Sequence, residues 1–245
     1  MGQAAGVRMT KDDTIYAVCI PGEKVRYESK SRIIPIMGGS ALLTLEEQNE
    51  LLQKGYKLDN DNTRLSKLNR YWGELSCVEW ILLNATDAHI GNAQYRRGWI
   101  EPDNDWYEEN TLYVPEPANF SITLEQQFYG GHQSFDAPAM TRELADSGEW
   151  VFSRKEIDQV WSQKDLFGCN MARGPIAHYK VFMNLLFSAL LPLWEKHQDF
   201  FLSIEGYDKR AIAFIAERIM TGIILHRDKL LPGMNIQTAP ISFIK

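Results

Sequence analysis

The sequence predicts an α/β fold in which a central, mostly parallel sheet is flanked by helices. Two observations carry that expectation. Short apolar runs rich in Ile, Val and Tyr alternate along the chain with longer segments whose apolar residues recur at three- and four-residue steps, the pattern of strands joined by crossover helices. The 245 residues, 44% hydrophobic and 24% charged, have the composition of a globular chain long enough to bury a sizeable core without staples. No repeat, low-complexity stretch or linker divides the sequence. Residues 1–245 are therefore expected to form one domain, with 1–12 as a flexible N-terminus.

Taken in order, Asp13–Cys19 is the first expected buried strand, and Pro21-Gly22 breaks it. Ile33–Met37 is a second short run, ending at Gly38-Gly39. Thr44 and Glu47 form a capping box, and Gly55 closes that helix where a left-handed residue is cheap. Beyond a polar loop, Asp59–Thr63, the stretch Leu65–Asn84 reads as one helix. Leu68, Trp72, Leu75, Val78 and Leu82 keep helical spacing, with Lys67, Arg70, Glu74 and Glu79 between them. Ala88–Gln94 and Thr111–Val114 are expected strands, the second stopped by Pro115 and Pro117. Leu124–Asp146 reads as short helices broken at Gly130-Gly131 and Pro138. Ser153 and Glu156 form another capping box, opening a helix to about Gln163. Leu166–Ala172 reads as a strand, Ile176–Lys196 as a long helix, Tyr207–His226 as an amphipathic one, and Ile236–Phe243 as a terminal strand or tail.

The net charge of −6, with no block of like charge, argues against a nucleic-acid partner. Cys19, Cys77 and Cys169 are far apart and odd in number, which suits a reducing compartment such as the cytoplasm and supplies no zinc spacing. Met1–Thr10 lacks the apolar core of a signal peptide. Val181–Trp194, the longest apolar stretch, is interrupted by Asn184, Ser188 and Pro192. It is shorter than the ~20 residues of a membrane span, which leaves open a peripheral contact with a membrane.

Four places could carry chemistry. Tyr95-Arg96-Arg97 follows an expected buried strand, and ligands of open α/β sheets bind beyond the carboxyl ends of strands. Guanidinium groups suit a leaving diphosphate; surface arginines paired with carboxylates are the plain alternative. Asp59-Asn60-Asp61-Asn62 contains an Asp-x-Asp spacing that could hold magnesium or manganese, although polar turns produce it often. His132, near Asp136, could be a general base or a core histidine. Among Tyr207, Asp208, Arg210, Glu217 and Arg218, the carboxylates Asp208 and Glu217 could abstract a proton, or the group could be an ion-pair network along a helix. Serine-hydrolase, phosphate-loop and dinucleotide fingerprints are absent from the sequence.

Together these pieces resemble a bacterial family of capsule and O-antigen biosynthesis proteins long catalogued as a domain of unknown function. The matching residues are Ile15-Tyr16-Ala17-Val18-Cys19, Pro35-Ile36-Met37-Gly38-Gly39-Ser40, then Asn69, Glu74-Leu75, Trp80 and Asn84. The most specific is Ile90-Gly91-Asn92-Ala93-Gln94-Tyr95-Arg96-Arg97, followed by Asn170-Met171 and by Tyr207, Arg210, Phe214, Glu217 and Arg218. The resemblance spans roughly residues 13–243 and implies a GT-A-like, Rossmann-like nucleotide-diphospho-sugar transferase, similar to domains that transfer galactofuranose. It also implies that Tyr-Arg-Arg stands where a metal-binding Asp-x-Asp usually sits, so that cationic side chains take the metal's place. Gln94 departs from the family's usual His and cannot titrate near neutral pH.

The expectation is thus a cytoplasmic glycosyltransferase, acting at the inner face of the membrane on a nucleotide sugar, UDP-linked, and on a glycan or lipid-linked oligosaccharide acceptor. Asp208, Glu217 and His132 are the base candidates. Gln94, Tyr95, Arg96, Arg97, Asp61, Asn62 and Asn170 are the donor-binding candidates, and Asp59 and Asp61 the weak metal ligands. The rivals are a non-catalytic glycan- or nucleotide-binding subunit of an assembly complex, and a metal-dependent nucleotidyltransferase.

Overall fold

Strand β1 (Asp13–Cys19) is buried along its whole length, which is why its sequence reads as a nearly unbroken apolar run. It lies between two parallel neighbours, β2 (Arg32–Met37) and β4 (His89–Gln94), and β3 (Lys57–Leu58) extends β2 in the same sense. The computed structural model describes residues 13–101, 108 and 110–244; the N-terminal stretch expected to be flexible, 1–12, lies outside them.

The remaining strands are β5 (Arg97–Trp99), β6 (Thr111–Pro115), β7 (Ala118–Asn119), β8 (Asp165–Leu166), β9 (Arg173–Pro175), β10 (Asn235–Ala239) and β11 (Ile241–Phe243). The sheet runs β10-β6-β9-β4-β1-β2-β3, and β9 is antiparallel to both β4 and β6. The expected α/β class with a mostly parallel sheet is therefore what the chain forms. β4 and β5 make a tight antiparallel hairpin in which Gln94 faces Arg97, and β11 adds to β5.

The helices are α1 (Leu45–Gln53), α2 (Asn69–Trp72), α3 (Leu75–Asn84), α4 (Leu124–Gly131), α5 (Ala137–Asp146), α6 (Arg154–Ser162), α7 (Ile176–Ser203), α8 (Ala211–Leu225) and α9 (Arg227–Leu230). Side chains alternate across the sheet. Tyr16, Val18, Leu112 and Val114 enter a large core with α3, α7 and α8. Ile15, Ala93 and Tyr113 face a smaller one closed by Trp99, Met171 and Ala239. Helix α7 is long and apolar enough by composition to cross a membrane, but Phe182, Met183, Leu186, Leu190 and Leu193 on it are fully buried in the core. Both expected capping boxes are present, and Thr123 with Gln126 supplies another at α4. Gly55 is left-handed, φ 85°.

Three expectations change. The helix Leu65–Asn84 is broken. A 3-10 turn, Ser66–Leu68, leads into α2, and the chain swings at Gly73, φ 56° and ψ −134°, a conformation that side chains with a Cβ resist. The strand Leu166–Ala172 is instead β8, then a turn with Cys169 and Asn170 both left-handed at φ 71° and 49°, then β9. Pro138 does not break a helix but sits in the first turn of α5, where its missing N–H costs nothing.

Asp59, expected at most as a weak metal ligand, is a structural anchor. It is fully buried, and its Oδ1 accepts hydrogen bonds from Ser40 N, Ser40 Oγ and Ser66 Oγ, while Oδ2 accepts from Gly39 N and Ser76 Oγ. Those bonds tie the end of β2 to the segment around the Gly73 swing. Asp59→Ala leaves these buried donors unmet and is predicted to cost about 3 kcal/mol or more of stability, read as a lowered midpoint in urea unfolding.

Candidate active site

The chain runs from β1 outward through β2 and β3, then returns to β4 on the other side of β1. That reversal makes the β1–β4 boundary a topological switch point, where the crossovers diverge and leave a crevice beyond the strand ends. A cleft of about 470 Å³ opens there, lined by Val18 and Ile20 from β1 and its exit, and by Gln94–Arg97 from the β4–β5 hairpin. The Gly73 swing contributes Asn69, Arg70 and Glu74, α4 and its C-terminus give Gln127 and His132, and the α8 region gives Tyr207, Arg210, Phe214, Glu217 and Arg218.

Although the chain is acidic overall, at −6, five arginines line this cleft against two glutamates. Among the described residues, neither Arg96 nor Arg97 forms an ion pair with a carboxylate, and the same holds for Arg70. The Arg96 guanidinium lies 5.7 Å from the centre of the Tyr95 ring, which also takes the Arg26 guanidinium at 5.7 Å, distances of cation–π contact. Arg97 Nη1 donates to Gln94 Oε1 at 2.6 Å, its guanidinium rests 4.9 Å from the Phe243 ring, and its buried Nε has no partner. Gln94 Nε2 in turn donates to the Cys169 carbonyl at 3.2 Å. Both ends of Gln94 are thus engaged in holding Arg97 in place, a job an amide does without titrating.

The other cations are tethered. Arg210 Nη2 pairs with Glu74 Oε2 at 2.8 Å. Arg218, 2% exposed, donates from Nη1 to Glu217 Oε2 at 3.2 Å and to the Phe214 carbonyl at 2.9 Å, and from Nη2 to Gln127 Oε1. Glu217 Oε1 accepts the Cys169 N–H at 2.8 Å. Burial lifts the Glu217 carboxyl above its ordinary range, against the opposing pull of Arg218 and the Cys169 N–H.

His132 and Asp208 form a dyad: Nδ1 of the ring lies 2.9 Å from Asp208 Oδ1, and Asp208 Oδ2 accepts the Ser134 N–H at 3.2 Å. Burial works against the charge on Asp208, but the bonds from His132 and Ser134 outweigh it and hold the carboxyl below its usual range. Burial likewise lowers the pKa of His132, countered in part by Asp208, so the ring is neutral at pH 7. With its proton on Nδ1 toward the carboxylate, Nε2 becomes the acceptor. The three base candidates therefore separate: His132 lines the cleft, Asp208 orients it, and Glu217 is engaged by Cys169 and Arg218.

Asn170 is fully buried, is absent from the cleft lining, and donates to Glu74 Oε1 at 2.9 Å and to the Ala213 carbonyl at 3.1 Å. Its place is behind Glu74 rather than against a donor. Asp61 and Asn62 are exposed on the loop after β3 and also do not line the cleft; Asn62 is simply a left-handed turn residue, φ 58°. As for magnesium or manganese, Asp59 is consumed by five hydrogen bonds, and no three His, Cys, Asp or Glu side chains converge among the described residues. Among the described residues, then, no side-chain set fits a divalent cation. Sequence reasoning did not place Arg70 and Glu74 in the site, because they sit between apolar positions and read as the outer face of an unbroken helix; the available signals were Gly73 and the Glu74-Leu75 match to the family.

A family described as a domain of unknown function (DUF4422) matches residues 18–228, the same family that the motifs resemble. No curated protein matches. Among solved structures the chain is similar to the apo structure of WbbM, a bifunctional glycosyltransferase, with 17% identity and a TM-score of 0.68, over 95% of this chain and 45% of that one. At that identity the likeness shows the fold, a GT-A-like one, and the chain spans under half the length of the solved protein.

The dyad makes a measurable claim without any assay. The His132 imidazole, followed by NMR, is predicted to titrate below its ordinary 6.5. Asp208→Asn is predicted to lower that midpoint further, because the carboxylate is what favours the imidazolium.

Proposed function

This chain belongs to the DUF4422 family, and we propose that it is a glycosyltransferase that moves a sugar, with galactofuranose as the leading candidate, from a UDP-linked donor to a glycan or lipid-linked oligosaccharide of a cell-surface polysaccharide. The observation that carries the reading is the pair Arg96 and Arg97, lining a cleft at the switch point of a glycosyltransferase-like fold with neither in a salt bridge to a carboxylate among the described residues. A diphosphate offers the anionic oxygens that suit guanidinium groups. The diphosphate is also the group on which negative charge grows as the sugar departs.

In the proposed reaction the oxygen of an acceptor hydroxyl bonds to the anomeric carbon of the donor. The bond from that carbon to the diphosphate oxygen breaks, and its electron pair leaves with the nucleoside diphosphate. Arg96 and Arg97 face the charge that develops there, and Arg70 also lines the cleft. The acceptor proton passes to His132 Nε2, and Asp208 stabilises the imidazolium that results. The described carboxylates of the cleft, Glu74 and Glu217, are each engaged by an arginine, so in this reading the charge on the departing diphosphate falls to the arginines. The setting is proposed to be the cytoplasmic side of the membrane; three buried, unpaired cysteines suit that reducing compartment.

One observation favours the non-catalytic alternative, namely Gln94 in place of the family's usual His. The His132–Asp208 dyad answers it by supplying a base from another element. The nucleotidyltransferase alternative needs Asp59 as a metal ligand and loses its support with the burial of that carboxylate.

Arg96→Ala and Arg97→Ala are each predicted to lower kcat with a UDP-sugar by ~10²–10³-fold while leaving the thermal midpoint within a few degrees. Wild-type turnover in both variants, measured by release of UDP, overturns the assignment. Since His132 must be neutral to act, the rate is predicted to rise with pH through its lowered pKa and to be flat above pH 7.

A further inference from the structure

Tyr207 stands on a short 3-10 turn, Gly206–Arg210, that enters α8. Its three polar neighbours on that turn are all engaged: Asp208 by His132 and Ser134, Lys209 by Glu205, and Arg210 by Glu74. Between these anchors the Tyr207 side chain is left 69% exposed at the cleft. Folding gains little from a ring so placed, yet the turn presents it rigidly. The ring lies parallel to that of His132, with an interplanar angle of 3° and centroids 6.1 Å apart, and it leans on Phe214 at 5.0 Å. A flat aromatic face therefore lies beside the His132 imidazole at the cleft.

Sugars have a face of C–H groups as well as a rim of hydroxyls. The C–H face is weakly positive and apolar, and it complements the negative face of an aromatic ring. The anionic end of the donor is accounted for by the arginines, whereas Tyr207 carries no cationic charge and offers mainly its ring. We propose that Tyr207 is the platform of the acceptor subsite. The apolar face of the acceptor's terminal sugar lies on its ring, and a hydroxyl on the rim of that sugar meets His132 Nε2, to which it loses its proton as its oxygen bonds to the donor's anomeric carbon. The proposal rests on the glycosyltransferase reading, and it makes the acceptor a carbohydrate ring rather than a lipid phosphate or a protein hydroxyl.

The test uses the full chain with a panel of UDP-sugars as donors. Methyl glycosides of galactose, glucose and mannose serve as acceptors, with glycerol as an acceptor that has hydroxyls but no ring. Tyr207→Leu retains an apolar cover on His132 but removes the flat face, and Tyr207→Phe retains the face but removes the hydroxyl. The expected result is a rise of about tenfold in KM for the glycoside in Tyr207→Leu, the loss of one aromatic contact. Donor KM stays within about twofold, use of glycerol is unaltered, and Tyr207→Phe recovers the wild-type KM. Wild-type glycoside KM in Tyr207→Leu overturns the platform, as does a rise in donor KM and acceptor KM together, which marks a merely structural ring. If the wild-type chain turns over no donor, the glycosyltransferase reading falls first and the subsite with it. Turnover with an unaffected Tyr207→Leu variant sinks only the subsite.

Discussion

The cleft is organised around one buried carboxylate. Glu74, 7% exposed, accepts hydrogen bonds from Arg210 at the entry to α8, from Asn170 in the left-handed turn before β9, and more weakly from Gln94 at the end of β4, 3.5 Å away. Three segments remote in sequence are thereby fixed to the residue that follows the Gly73 swing. A charge that far from water survives only when its lone pairs are met. Arg210 supplies the countercharge and the amide groups supply the rest. Without the swing at Gly73, a continuous helix would carry Glu74 elsewhere on its surface, and the cleft would lose the post to which its walls are fastened.

From that post the cationic character of the site follows. Gln94 holds Arg97 from one side and the Cys169 carbonyl from the other, while Cys169 N–H and Arg218 hold Glu217. Cys169 and Asn170 adopt consecutive left-handed conformations, which cost energy for residues with a Cβ. The surrounding bonds over-determine them, and the outcome is a wall whose carboxylates are already engaged. Arg96, Arg97 and Arg70 then line the cleft without a salt bridge to a carboxylate among the described residues, and Glu217 feels Arg97 only at longer range. Under the proposed function, that excess of cations at a switch point is what receives the donor's diphosphate.

Much of the fold was legible in the sequence because its signals are local. The apolar runs at β1 and β2, the capping boxes at Thr44 and Ser153, and the left-handed Gly55 each depend on a few neighbouring residues. The breaks were harder. Trp72, Leu75 and Val78 keep helical spacing across Gly73, so periodicity alone does not reveal the swing. The turn at Cys169 and Asn170 is stabilised by Glu217, Gln94 and Glu74, partners that no local window contains. In the site, Tyr95-Arg96-Arg97 could be found from its place after a strand, and the His132 reading gained its meaning only when the fold brought Asp208 to its Nδ1. Asp59 shows the reverse: a polar spacing that suggests a metal is, in three dimensions, the acceptor for two backbone amides and three serine hydroxyls.

The central claim is that side-chain cations alone grip a nucleoside diphosphate. Calorimetric titration of UDP into the purified chain in the presence of excess EDTA, repeated at several salt concentrations, tests it most directly. The account predicts saturable one-site binding that persists in chelator and weakens steadily as salt screens the arginines. Binding that appears only when magnesium or manganese is restored, or none under any condition, would contradict it.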